Sequence, residues 1–160
     1  YEEGIQKLTI DLVAKQSGMT KGGVLYHFEN KDALLMNMNE FVIEQFDAIL
    51  EKHLATLSGK YRYTRAYGLA TLEYVREHKI LLPAVFITSF ENEQCANLWE
   101  KTLHNLEKLF EEDDGNAEEI LSFRLLCDGI WFSLMYREQH HVAEKAENLL
   151  VKKIQAMEEA

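Results

Sequence analysis

The sequence predicts an all-α fold, with a small N-terminal helix-turn-helix head on a larger helical-bundle body. Its 160 residues include one proline and eight glycines, so helix-breaking positions are few. Apolar residues recur three and four apart rather than in the alternation that strands require. The apolar fraction of 47% is ample for a packed core and far from a disordered composition.

The elements follow in order. The first helix runs from Thr9, a good N-cap, to about Ser17, with Ile10, Val13 and Ala14 inward. Gly18 supplies the positive φ that ends it. Thr20 caps a second, short helix through Phe28, with Val24 and Phe28 facing in. Asn30 opens a long third helix whose stripe is Leu34, Met38, Phe41, Val42, Phe46, Ile49, Leu50, Leu54 and Leu57, stopped by Ser58-Gly59. A fourth spans about residues 62–77. Pro83 fits the first turn of the next segment, with Val85, Phe86, Ile87 and Phe90. Ala96, Trp99, Leu103, Leu106 and Phe110 mark another helix, ended by the acidic, glycine-bearing stretch Asp113 to Asn116. Residues 118–138 are apolar on nearly every side, which places them centrally, at an interface, or both. Val142, Ala146, Leu149, Leu150, Ile154 and Met157 form a last stripe. There is no internal repeat. The division is residues 1–35 as head and 36–160 as body.

Charge is unevenly distributed. The net value of −10 counts against nucleic-acid binding taken whole, but only a contacting face must be basic. Residues 1–35 are nearly balanced, with Lys7, Lys15, Lys21 and Lys31 against Glu2, Glu3, Asp11, Glu29 and Asp32. The acid surplus lies in runs such as Glu111-Glu112-Asp113-Asp114. Cys95 and Cys127 read as buried reduced thiols, which suits a cytoplasmic protein, rather than as a zinc site or disulfide. No run approaches the ~18 apolar residues of a membrane span, and Tyr1-Glu2-Glu3-Gly4 is no secretory signal. No cofactor and no catalytic residue are expected.

The segment from Thr20 to Phe28 carries the clearest chemistry. A helix-turn-helix lays its second helix in the major groove of DNA, with N-terminal residues on base edges or phosphates. Thr20 and the amides at that helix start suit phosphate, and Lys21 adds charge and reach. Gly22 and Gly23 each cost roughly 1 kcal/mol of helix stability relative to alanine, which close approach of the backbone to DNA explains. Tyr26 and His27 offer donors to phosphate, and Lys31 stands where the third helix begins. The plain alternative is a helical hairpin with a solvated face.

Gly4, then Leu8-Thr9-Ile10 with Val13-Ala14, then the whole run from Ser17 through Phe28, and Asn30-Lys31-Asp32-Ala33-Leu34-Leu35 resemble the head of TetR-type (TetR/AcrR) transcriptional regulators. The resemblance implies a homodimeric repressor of a palindromic double-stranded operator, released when its helical body binds a small molecule. Carried over by position, Thr9, Thr20, Lys21, Gly22, Gly23, Tyr26, His27 and Lys31 contact DNA. Many members have tyrosine where this chain has Leu25, so Leu25 either touches a thymine methyl or packs. The family also has a helix ahead of Gly4, which this sequence begins too late to contain.

In the body, Cys127-Asp128-Gly129-Ile130-Trp131 is similar to a stretch in the penultimate helix of some such regulators. That likeness implies dimerisation through the last two helices, and the apolar load on residues 118–138 independently asks for cover. Tyr63, Tyr67, Tyr74, Phe86, Phe90, Trp99, Phe123 and Trp131 form an aromatic set across the middle helices. Singly each suits ordinary core. Together, by the resemblance, they line a pocket for an apolar or aromatic effector. Asp128 is a carboxylate on an otherwise apolar helix, paired either with Arg124 one turn earlier or with a ligand or partner.

Two rival classes remain. A metal-dependent enzyme would use His140-His141 with Glu144, joined by His104 or His53, yet spacing prescribes no third ligand. Neither a phosphate-binding glycine loop nor a nucleophile elbow occurs. A helical interaction module without DNA binding is the other.

Overall fold

The computed structural model describes residues 8–78, 85, 92–134 and 140–159. Among them are seven helices and no strand: α1 (Ile10–Ser17), α2 (Lys21–His27), α3 (Lys31–Leu54), α4 (Arg62–His78), α5 (Glu93–Glu111), α6 (Ala117–Leu134) and α7 (His140–Glu158).

The head is built from local capping. Thr9 Oγ1 accepts from the Leu12 amide at 3.1 Å, Thr20 Oγ1 from that of Gly23 at 3.0 Å, and Asn30 Oδ1 from that of Ala33 at 2.8 Å. Each bond satisfies an amide that a helix start would otherwise leave without a partner. Gly18 ends α1 at φ 71°, where a side chain would be strained. Ala14, Val24, Leu34 and Leu35 are the apolar side chains that α1, α2 and the start of α3 bury.

Helix α3 runs out of the head and packs on α4 and α5. Its buried line is Leu35, Asn39, Val42, Leu50 and Leu54, so Phe41, expected on the stripe, falls beside it and is exposed. The helix also stops earlier than Ser58-Gly59 suggests. Arg62 donates to the carbonyls of Leu54 (2.8 Å) and Leu57 (3.0 Å), and Arg65 to that of Ser58 (2.9 Å). Carbonyls so occupied need no further helical turn.

Helix α4 is central, touching α3, α5, α6 and α7. Its start is capped from outside: the Asp113 carboxylate accepts from the amides of Tyr63 (3.2 Å) and Thr64 (2.8 Å) and from Thr64 Oγ1 (2.6 Å). The acidic 113–116 stretch is therefore a structural clasp as well as a helix stop. Gly115 belongs to it, since a Cβ there would lie 2.2 Å from the Tyr61 ring.

Against α6 and α7 the packing is tight. Ile120, Phe123, Cys127, Ile130 and Leu134 form the buried line of α6, with Ala143, Leu150, Ile154 and Met157 from α7. On α7 the expected stripe is corrected in part: Val142 and Leu149 are exposed, and Ala143 is the buried residue of the first turn. Pro83, Phe86, Phe90 and residues 135–138 lie outside the described residues.

Candidate nucleic-acid interface and ligand chamber

Helix α2 is presented outward. Of residues 20–27 only Val24 is buried and Gly23 half-buried, while Thr20, Lys21, Gly22, Leu25, Tyr26 and His27 are exposed. Tyr26 is the extreme, 86% exposed, and its ring meets His27 edge-on at 5.3 Å. Lys21 Nζ lies 3.0 Å from Asp11 Oδ2, an exposed pair between α2 and α1 that a phosphate could replace. The two glycines differ. A Cβ on Gly23 would come within 3.3 Å of Thr20 Oγ1, so the cap itself favours glycine there. Around Gly22 nothing lies within 4 Å, and the fold gives no internal reason for its missing side chain. Thr9 is exposed and Lys31 half-buried on the same head.

The second feature is a cavity of about 420 Å³ between α3, α4, α5 and α6. Within the described residues its wall comprises Val42, Ile43, Phe46 and Asp47 from α3, Tyr67 and Tyr74 from α4, Trp99, Thr102, Leu103 and Leu106 from α5, and Arg124, Asp128, Trp131 and Phe132 from α6. Phe46 is the hub, edge-on to Tyr67 (5.6 Å), Tyr74 (5.9 Å) and Trp131 (5.7 Å). Such ring pairs hold a hollow open because each side chain has lateral support. The size falls in the range typical of small-molecule sites.

Of the residues expected to bind a ligand, Tyr67, Tyr74, Trp99, Asp128 and Trp131 come together here. Phe123 does not. It shares the buried line of Ile120 and Cys127 and packs on Gly68, where a Cβ would lie 2.5 Å from its ring, whereas the chamber takes the neighbouring line Arg124, Asp128 and Trp131. Tyr63 is half-buried against the main core and is not in the wall. Phe86 and Phe90 lie outside the described residues.

The polar groups of the wall are few. Arg124 lies 3.8 Å from Asp128 and 3.7 Å from Glu107, with its guanidinium 5.9 Å from the Phe110 ring centre. Burial raises the Asp128 carboxyl above its ordinary value, and Arg124 partly opposes this. Burial, then Glu51, raises that of Asp47. Burial also pushes the Tyr74 hydroxyl up to about 12, so it stays neutral. Trp99 ties the wall to α3: its Nε1 donates to Asn39 Oδ1 at 2.7 Å, while Asn39 Nδ2 donates to the Leu35 carbonyl at 2.8 Å. Nearer the head, Asn92 Nδ2 donates to Asp32 Oδ1 at 3.2 Å.

Residues 1–38 match the model for bacterial regulatory proteins of the tetR family, and residues 61–157 that for a tetracyclin repressor-like C-terminal domain. The second match alone covers more than half of the chain. The chain belongs to the TetR family. Its members are transcriptional regulators with a helix-turn-helix head on a helical body, and this chain's exposed α2 falls within the first match and its chamber largely within the second. No curated protein matches it.

Sequence reading missed several chamber residues of this TetR-family chain. Val42 and Phe46 were visible only as a helix stripe. Asp47 sits beside that stripe, and its one signal is a carboxylate four residues after Ile43, next to Phe46. The metal alternative finds no support: among the described residues no three His, Cys, Asp or Glu side chains are grouped to hold an ion. His53 Nε2 is instead 2.9 Å from Glu73. No helix of the described residues is long and apolar enough to cross a membrane.

Proposed function

We propose that this chain is a ligand-responsive homodimeric regulator, acting as a repressor, that reads a palindromic operator through residues 20–28 and is released by an effector in the aromatic chamber. The observation that carries the reading is the outward presentation of α2, with Val24 alone buried and Tyr26 fully available. Residues 1–35 act as the reading head and 36–160 as the effector-binding and dimerising body. Thr20, Lys21, Tyr26, His27, Thr9 and Lys31 serve phosphates, Gly22 and Gly23 allow close approach, and Leu25 meets a thymine methyl.

A second copy is expected on α6 and α7. Leu121, Leu125, Val142 and Leu149 are exposed there, and Gly129 on α6 has nothing within 4 Å. Such a row on two adjoining helices suits an isologous interface. It would set two heads about one helical turn of DNA apart, on the order of 34–36 Å. An effector favours one head spacing only through its differential affinity for the two states.

The test is selection of bound duplexes from random DNA. A palindromic consensus is expected, with affinity falling steeply in salt, about 0.9 in logarithmic slope for each phosphate neutralised. The double variant Lys21→Ala, Tyr26→Ala should lose most of that affinity while melting like the parent. Equal binding to unrelated sequences, or an unaffected double variant, would exclude this reading in favour of a module without DNA binding.

A further inference from the structure

The distribution of charge on the chamber wall narrows the chemistry of a guest. The buried rings of Tyr67 and Tyr74, with half-buried Phe46, Trp99 and Trp131, form the inner wall. Asp47, Asp128, Leu103 and Phe132 are the exposed lining residues and so form the mouth. Among the described residues, the wall contains one cationic side chain, Arg124, and two carboxylates. Arg124 already lies between Asp128 (3.8 Å) and Glu107 (3.7 Å). Asp47 makes no ion pair with any described residue, and Glu51, one turn along, repels its charge.

We propose that the chamber takes an amphiphilic organic cation, its apolar or aromatic end against the inner rings and its charged end held at the mouth by Asp47 and Asp128. The inference rests on the cavity being the effector site. An anion would meet two carboxylates and a guanidinium already engaged by two acids. A neutral guest would cover Asp47, taking water from a carboxylate and giving nothing back. A cation answers that charge, and aromatic faces present their negative side to it. The raised carboxyl of Asp47 points the same way, since it marks an ionised form short of stabilisation.

Both tryptophans of the chain line this cavity, so its intrinsic fluorescence reports on the chamber. Three probes sharing one apolar group are titrated into the whole protein: 4-phenylbutyltrimethylammonium, 4-phenylbutanol and 4-phenylbutanoate. The cation should bind about tenfold more tightly than the alcohol, and the anion most weakly. Asp47→Asn should shrink the cation-over-alcohol ratio to about threefold or less, with far-ultraviolet dichroism and melting checking that it folds. Should that variant fail to fold, the ranking in the parent protein still decides. Equal affinities, a preference for the anion, or no spectral response to any probe would overturn the proposal. Operator selection needs no effector, so it judges the regulator reading separately.

Discussion

Helix α4 has two unlike sides. Towards α6 and α7 it is solid: Gly68 has no room for even one carbon because the Phe123 ring and Ile154 occupy the space. Towards α3 and α5 the same helix offers Tyr67 and Tyr74, two turns apart, to a cavity of about 420 Å³. Identical backbone geometry thus supports close packing on one flank and a held-open space on the other. Side-chain size decides which: glycine and alanine draw the α6–α7 layer in, whereas on the other flank α3 stays close and the tyrosines propped by Phe46 leave the space open towards α5. The lesson is that a chamber requires a rigid backing.

Substitutions can break that contrast. Phe123→Ala, on the solid flank, should cost about 3–5 kcal/mol because nothing can fill the vacated volume; a fall in melting temperature no larger than that of a chamber residue would refute the division. Gly68→Ala should cost about 1–3 kcal/mol by overpacking, and urea denaturation would measure it. Leu103→Ala, at the exposed mouth, should cost less than about 1 kcal/mol while altering probe affinity.

The smallest effect sharpens the contrast through pH. Glu73, on α4, is held below the ordinary carboxylate range first by Lys52 (2.7 Å) and also by His53 (2.9 Å). Its stabilisation is present above the unfolded-state value and lost as pH falls through the lower folded-state value. Asp47 and Asp128 are raised by burial, so their sign is opposite: they favour folding most when protonated, and that contribution is lost as pH rises through their folded-state values. Glu73→Gln should therefore melt lower than the parent at pH 7, by under about 1 kcal/mol of stability, and the difference should shrink as pH falls through the folded-state value. Asp47→Asn should show no such loss at pH 7.

The head was legible because its chemistry is local. Thr9, Thr20 and Asn30 each cap an amide three residues on, and Gly18 takes a left-handed turn, so the residue types alone place the helix ends. In the body, helix periods were readable but their facing was not. Phe123 and Arg124 are neighbours in sequence, and one residue of rotation separates the solid line from the chamber line. The clasp of Asp113 on Thr64 was hidden for a different reason: it joins residues 49 apart, and only the fold brings them together. Val142 and Leu149 looked like core because helical spacing alone does not tell an exposed apolar residue from a buried one.

Helix α3 is a single rod of 24 residues, about 36 Å long at ~1.5 Å per residue. Its tip belongs to the head and its shaft, at Phe46, to the chamber. Pivoted at Leu54, a tilt of about 5° that shifts Phe46 by roughly 1 Å swings Lys31 through about 3 Å. That is close to the ~3.4 Å between successive bases. On the proposed function, such a rod would act as a lever with a mechanical gain near three between the chamber and the head.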